Sequence, residues 1–213
     1  MKLRRSMLLA GTVALCACGA SIAAARSASA VSNRIAALAL APAERTFVLV
    51  DQHGRSVSAA DFHGRWLVVY FGFTQCPDVC PATLALLAAA LRTLGPDARE
   101  LQAVFITIDP EHDTGPVLAS YLQNFGPNFI GLTGSSAQIA AAAQSFGAYS
   151  GADAQGASAA MSLAHSSTLY VVDPQGRLNR QLSSQMTAAQ LATYLRKALK
   201  SEPFTGTALH EGS

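Results

Sequence analysis

Residues 66–81 read Trp-Leu-Val-Val-Tyr-Phe-Gly-Phe-Thr-Gln-Cys-Pro-Asp-Val-Cys-Pro, and this stretch decides the fold of the chain. Its first six residues are apolar and β-rich without interruption, which is typical of a strand buried on both faces. Two cysteines, Cys76 and Cys80, follow almost directly. Functional groups in open α/β sheets gather at the carboxyl ends of strands. The stretch therefore predicts a central strand that leads into a functional loop.

Strands and helices alternate around this stretch. Hydrophobic periodicity and turn residues predict strands at 46–50, 66–71, 103–108, 129–132, 167–172 and 178–182, and helices at 84–94, 116–125, 136–146 and from 187 to about 200. A turn at 51–54 closes an N-terminal hairpin, and the Gly/Ala/Ser-rich residues 147–160 are predicted to be an excursion of the chain over the surface, without regular secondary structure. This order predicts an α/β domain with a thioredoxin-like central sheet, flanking helices, an extra N-terminal hairpin and an insertion.

Length and composition exclude several classes of protein. The chain has 213 residues, of which 50% are hydrophobic and 13% charged, so it has enough apolar material for one well-packed domain and is not globally disordered. Its net charge of +2 depends on Lys2, Arg4 and Arg5, because the remaining residues carry 12 basic and 13 acidic side chains. A nearly neutral body without a basic stripe excludes nucleic acid as a partner.

The N-terminus has the pattern of an export segment. Residues 6–25 carry no charge and follow a basic start, which is typical of signals and membrane anchors. Three interpretations remain open: a retained anchor, a lipoprotein signal in which Cys18 becomes lipidated, and a signal cleaved after Ala25 or Ala30. All three place the rest of the chain on the periplasmic side of the cytoplasmic membrane, and the first two tether it there.

Four segments follow from these patterns. Residues 1–25 are predicted to be the export signal or anchor and residues 26–43 a flexible tether. Residues 44–200 are predicted to form the α/β domain, and residues 201–213 a loose tail.

Outside the leader, Cys76 and Cys80 are the sole cysteines of the sequence. In an oxidising compartment such a pair is a disulfide, a redox couple or part of a metal site. Residues four apart on a helical turn have Cβ atoms about 5–6 Å apart, whereas a disulfide needs about 3.5–4.5 Å. The spacing therefore suits two thiolates that share a metal better than a structural disulfide.

Two sulfurs leave a metal site incomplete. Thiolates are soft ligands that select Cu(I) or zinc, and a histidine nitrogen is the natural complement. The body offers five histidines, His53, His63, His112, His165 and His210. His112 and His165 are the better candidates because each flanks a predicted strand end, although the acidic segment 109–113 that contains His112 is predicted to be a solvated loop.

Several segments resemble the SCO/SenC family of copper proteins. The resemblance rests on residues 70–81, on Phe105-Ile-Thr-Ile-Asp-Pro-Glu111, on Phe129-Ile-Gly-Leu-Thr-Gly134, and on His165-Ser166 followed by Tyr170-Val-Val-Asp-Pro174. It implies a thioredoxin-like fold, a membrane anchor or lipid attachment, and a copper site made by Cys76, Cys80 and His165.

The same resemblance implies a function and partners. It implies delivery of copper to the dinuclear copper centre of cytochrome c oxidase, with the copper-bearing subunit as client and other periplasmic copper chaperones or thiol reductants as further partners. The sequence departs from the family in three places. Ala164 stands where an acid is common, His112 stands where an arginine is common, and Gly115 is unexpected.

A second function shares the same cysteines. A membrane-tethered thiol–disulfide oxidoreductase needs the dithiol but not His165. A peroxidase would also need an arginine near Thr74, and the sequence has none between Arg65 and Arg92. The sequence therefore predicts a copper metallochaperone first and a thiol–disulfide enzyme second.

Overall fold

The computed structural model describes residues 44–148 and 167–200. The predicted leader, the tether and the tail therefore lie outside the described residues. So do most of the 147–160 excursion, Ala164, His165 and His210.

The described residues form a seven-stranded sheet that surrounds the strand predicted at 66–71. The strands are β1 (Val48–Asp51), β2 (Ser56–Ser58), β3 (Trp66–Gly72), β4 (Leu101–Thr107), β5 (Phe129–Thr133), β6 (Thr168–Val172) and β7 (Leu178–Ser183), in the spatial order β2-β1-β5-β4-β3-β6-β7. β3, β4 and β5 are parallel, and the remaining pairings are antiparallel. This arrangement confirms the thioredoxin-like α/β class and the added N-terminal hairpin.

Within the described ranges, four α-helices cover the two faces of the sheet. They are α1 (Val79–Leu94), α2 (Gly115–Leu122), α3 (Ser136–Ser145) and α4 (Ala188–Lys200), and short 3-10 helices span Ala59–Phe62 and Gly95–Glu100. The two largest differences from the predicted boundaries are in helices: α1 starts at Val79 in the cysteine segment rather than at Leu84, and α2 ends at Leu122 rather than Phe125.

Alternate residues of β3 belong to two different cores, as expected for a strand covered on both sides. Trp66, Val68 and Tyr70 pack with α1, α2 and α4, whereas Leu67, Val69 and Phe71 pack with α3 and the N-terminal hairpin. All seven residues of β3 are buried. Complete burial explains why this strand is continuously apolar instead of alternating.

Two hairpins use the same turn, Asp-x-x-Gly-Arg, at residues 51–55 and 173–177. In each turn the buried aspartate accepts backbone N–H groups from the second and fourth following residues and pairs with the arginine Nε. Gly54 and Gly176 adopt φ values of 82° and 77°, a region that favours glycine. The repeated motif fixes the registers of β1–β2 and β6–β7.

One segment of the described residues, Val79–Glu100, is long and apolar enough to span a membrane. It contains α1, whose apolar side packs against the sheet. Its composition is therefore accounted for by the core of the domain.

Candidate metal centre

The two cysteines lie at the carboxyl end of β3, where the chain turns into α1. Both are free thiols and both are buried, Cys76 at 9% exposure and Cys80 at 0%. The structure therefore places the pair where the sequence predicted, at the carboxyl edge of the central strand.

The sulfurs occupy different positions relative to the helix. Cys80 lies in the first turn of α1, whereas Cys76 precedes the helix, so the expectation that both share one helical turn is wrong. Cys76 is followed by Pro77, and a residue before proline is disfavoured in helical conformation. The Sγ atom of Cys76 instead accepts the backbone N–H of Cys80 at 3.4 Å. The sulfur thus occupies the capping position at the start of α1.

Asp78 does not perform the capping role that its position suggests. It is the residue before the first helical residue of α1, yet its side chain makes no capping hydrogen bond, and it is exposed. The N–H of Cys80 is already taken by the sulfur of Cys76. The carboxylate of Asp78 therefore faces solvent beside the cysteine pair.

The surroundings make the two thiols chemically unequal. Burial raises the pKa of Cys76, but hydrogen bonds from the backbone N–H groups of Cys80 and Asp78 outweigh it and hold that pKa below its ordinary value. Burial dominates for Cys80 and raises its pKa to about 11. Cys76 is therefore the thiol that ionises more readily.

Two tyrosines lie behind the sulfurs, and neither was predicted from the sequence to belong to the site. The hydroxyl of Tyr70 donates to Cys80 Sγ at 3.4 Å. The hydroxyl of Tyr121 is buried and has no hydrogen-bond partner among the described residues. The ring of Tyr121 lies 6.0 Å from that of Phe105, between the ring centroids. Burial, followed by the charges of Cys80 and Cys76, raises the pKa of Tyr121. The alternation of β3 was the available signal for Tyr70, because it shares a face with Gly72.

Gly72 provides the space that Cys80 occupies. A Cβ atom at Gly72 would lie 2.9 Å from both Cys80 Sγ and Phe105 Cε2, which is closer than such contacts occur. A side chain at this position would therefore displace the sulfur or the ring of Phe105.

The acidic segment after β4 differs from the prediction of a solvated loop. Asp113 is fully buried, and it binds Thr74 and Thr107. His112 is exposed, and its Nδ1 lies 2.8 Å from Asp109, which raises the pKa of the imidazole. His53 and His63 are also exposed. The structure therefore brings Asp113 to the cysteine loop and leaves His112 engaged by Asp109.

Gly115, which the sequence left unexplained, has a packing reason. A Cβ atom at this position would lie 3.1 Å from the backbone oxygen of Gln52. The start of α2 therefore lies against the turn of the N-terminal hairpin, where the absence of a side chain allows a close approach.

The donor set of the described residues fits a soft metal ion but is incomplete. They contain no group of three or more His, Cys, Asp or Glu side chains arranged to hold a metal. Two buried sulfurs beside an apolar wall suit Cu(I). His165, the predicted third ligand, lies outside the described residues.

The pairing of β6 locates the segment that follows His165. Leu169 of β6 pairs with Tyr70 of β3 in antiparallel register, so β6 starts beside the end of β3 that leads to the cysteines. His165 precedes Thr168, the first residue of β6, by three residues, which span at most about 10 Å.

Comparison with known proteins settles the family. The SCO1/SenC family model matches residues 36–200, about three quarters of the chain. The chain belongs to the SCO1/SenC family. The resemblance noted from the cysteine segment and three further segments is thus confirmed.

Relatives and solved structures share both sequence and fold with this SCO1/SenC protein. The mitochondrial SCO2 homolog of Bos taurus is 39% identical over 153 residues, which cover 71% of this chain and 58% of the bovine protein. The chain therefore spans less than two thirds of the length of that relative.

Copper-bound proteins are among the similar solved structures. Yeast Sco1 with copper bound has a TM-score of 0.64 and 28% identity, and the match covers 78% of this chain and 97% of the yeast structure. Bradyrhizobium japonicum ScoI with copper bound has a TM-score of 0.59 and 30% identity, with 72% and 98% covered.

Proposed function

We propose that this SCO1/SenC protein is a copper metallochaperone that holds copper through Cys76, Cys80 and His165. Its proposed client is the copper-bearing subunit of cytochrome c oxidase, whose dinuclear centre would receive the metal or be matured by it. The observation that carries the proposal is the pair of free, buried sulfurs at the end of β3, in a family with copper-bound solved structures.

The register of the sheet supports His165 as the third ligand. β6 starts at the same edge of the sheet as the cysteine loop, because Leu169 pairs with Tyr70, and His165 precedes β6 by three residues. His112, the alternative imidazole, is already bonded to Asp109. Bound copper would supply a soft cation for transfer, and the chain's own contribution is to hold both sulfurs buried at the end of β3.

An anaerobic copper titration tests the proposal. The reduced full chain, in mild detergent, is titrated with Cu(I) against a chromophoric chelator while the free thiols are counted. We expect one copper per monomer. A chain that binds no Cu(I) more tightly than a variant with both Cys76 and Cys80 replaced by serine would contradict the proposal.

Replacement of Gly72 by alanine tests whether the space at Gly72 sets the position of the Cys80 sulfur. We expect Gly72→Ala to lose about 1–3 kcal/mol of unfolding free energy by overpacking, and also to weaken Cu(I) binding because the new methyl group displaces Cys80 Sγ. Thermal unfolding and chelator competition measure the two effects.

Gly131→Ala is the matched control. A Cβ atom at Gly131 would lie 2.7 Å from Leu122 Cδ1, a tight contact in β5 that does not involve the sulfurs. This variant should lose stability without losing copper affinity. Equal affinities in the two variants would show that Gly72 serves packing alone.

A second candidate function is thiol–disulfide exchange, which the unequal burial and pKa of the two thiols favour. The Cys76 thiolate would attack a client disulfide and release one client thiolate while a mixed disulfide forms. Cys80, after losing its proton, would then attack Cys76 Sγ and release the second client thiolate, so two electrons pass from the pair to the client.

Two variants, His165→Ala and Cys80→Ser, distinguish copper transfer from thiol–disulfide exchange. A dithiol reductant needs no imidazole, so His165→Ala should leave the rate of disulfide reduction unchanged if exchange is the function. A Cys80→Ser variant that accumulates a mixed disulfide with the oxidase subunit would favour exchange. A variant that accumulates none would favour copper transfer.

We also propose that the chain works while tethered to the membrane, on its periplasmic face. The uncharged residues 6–25 and the small residues 26–43 support an anchor or lipid attachment followed by a flexible linker. Confinement near a membrane oxidase raises the effective concentration of the chaperone, which matters because the body carries little net charge for steering.

Membrane fractionation is expected to recover the mature protein with the membrane and to release it only with detergent. Mass spectrometry of the membrane-bound protein separates lipid attachment from a retained anchor, because an acylated Cys18 becomes the first residue in the first case and residues 1–25 remain in the second. Recovery of the wild type wholly in the soluble periplasmic extract, with its N-terminus at Arg26 or Val31, would show that the segment is a cleaved signal.

A further inference from the structure

Asp113 is a buried carboxylate that lies between the loops following β3 and β4. Its Oδ2 accepts the backbone N–H of Thr74 at 3.0 Å and the hydroxyl of Thr107 at 2.6 Å, and its Oδ1 accepts the hydroxyl of Thr74 at 2.5 Å. The side chain is 0% exposed, and no cation of the described residues lies within ion-pair distance of it. An ionised carboxylate in such a place is costly unless its hydrogen bonds are satisfied.

One side of this hydrogen-bonded cluster is anchored to the sheet. Thr107 is the last residue of β4 and pairs with Gly72 in the parallel register. The chain continues with Ile108, whose N–H donates to the oxygen of Gly72 at 2.9 Å. Thr107 therefore holds one oxygen of Asp113 at a rigid edge of the central sheet.

The other side of the cluster reaches the cysteine loop. Thr74 stands two residues before Cys76, and the N–H of Cys76 donates to the oxygen of Phe73 in the same short turn. Cys76 Sγ then accepts the N–H of Cys80 at the start of α1. A fixed Thr74 therefore limits where Cys76 Sγ can lie.

We propose that Asp113 is a positioning residue for the sulfur pair. Its carboxylate clamps Thr74 to the end of β4 and thereby keeps Cys76 Sγ at the amino end of α1, poised beside Cys80 for a shared metal ion. The part that concerns copper rests on the proposed function, whereas the clamp on the loop does not. Groups that orient metal ligands typically change metal affinity by about 10–100-fold when they are altered.

Four variants of the full chain test the clamp. Asp113→Asn keeps the shape but replaces one of the two acceptor oxygens by an N–H₂ group, so one of the two hydrogen bonds that Thr74 donates loses its acceptor whichever way the amide is turned. Thr74→Val removes one hydrogen bond to Asp113, and Thr74→Ser restores it. Asp173→Asn is the matched control, because Asp173 is also buried but lies in the β6–β7 turn, at the end of β6 that pairs with the start of β3.

Two measurements are made on each variant. Amide hydrogen exchange across residues 72–80 in the copper-free, reduced protein reports on the loop alone, and chelator competition reports on Cu(I) affinity. We expect Asp113→Asn and Thr74→Val to exchange about tenfold faster in this segment and to bind Cu(I) at least about tenfold more weakly. Thr74→Ser and Asp173→Asn should match the wild type in both measurements, although Asp173→Asn lowers the melting temperature.

The outcomes separate the clamp from the copper function. Unchanged exchange across 72–80 in Asp113→Asn overturns the clamp, and faster exchange with unchanged Cu(I) affinity overturns its role in positioning the sulfurs. If the wild type binds no Cu(I), the proposed function fails while faster exchange in the variants still supports the clamp. If Asp113→Asn does not fold, the comparison of Thr74→Val with Thr74→Ser decides the question in the same way.

Discussion

Oxidation of the Cys76–Cys80 pair is expected to abolish most of the copper binding of this protein. The proposed site takes two of its three ligands from these thiols, and each must be a thiolate to bind the metal. A disulfide removes both at once. We expect a loss of affinity of at least about 100-fold, which corresponds to about 2.7 kcal/mol.

The measurement compares reduced, oxidised and re-reduced protein by anaerobic chelator competition, with thiols counted in each form. Cys16 and Cys18 of the leader are further thiols, so a variant with both replaced by serine isolates the pair of the domain. Re-reduction should restore one copper per monomer. Equal copper uptake by the oxidised and reduced forms would contradict a site built on these two sulfurs.

Removal of the His165 imidazole is expected to weaken Cu(I) binding roughly 100-fold while the thiols remain reducible, which is again about 2.7 kcal/mol. The reason is the loss of the one nitrogen donor from a three-ligand site. The 85 residues that separate His165 from Cys80 are no obstacle, because the entropy of loop closure grows slowly with loop length. The β3–β6 pairing also brings the start of β6 beside the end of β3 that leads to the cysteines.

His112→Ala is the matched control for this prediction. His112 is exposed and bonded to Asp109, so its removal should leave Cu(I) affinity unchanged. Thermal unfolding of both variants should match the wild type. An unchanged affinity in His165→Ala together with a loss in His112→Ala would assign the ligand to the other imidazole.

In the cysteine loop, the structure differs from the prediction made from residue spacing. The spacing of Cys76 and Cys80 predicted one shared helical turn, yet Cys76 stands before the helix and its sulfur caps it. Pro77 was the available signal, because proline restricts the residue before it to extended conformations. The geometry of residues four apart holds only inside a helix, and α1 begins between the two cysteines.

The burial of Asp113 was not predictable from its local sequence for a different reason. The segment 109–113 is rich in acidic residues and was therefore predicted to be a solvated loop. The nearby partner of Asp113 is the uncharged Thr107 of the preceding strand. One of its partners, Thr74, lies 39 residues earlier. The parallel pairing of β3 with β4 brings the two loops together, so no local sequence pattern predicts the contact between Thr74 and Asp113.

The sequence by itself determined the elements and their order, because apolar runs, helical periodicity and turn residues are local. It also determined the two sulfurs and, through four matching segments, the family. The tertiary structure decided which side chains surround those sulfurs. Tyr70, Gly72, Asp113 and Tyr121 reach the site through strand pairing and helix packing between distant segments. Such contacts depend on which faces of the elements are buried together, and that choice is made by the packing of the whole core.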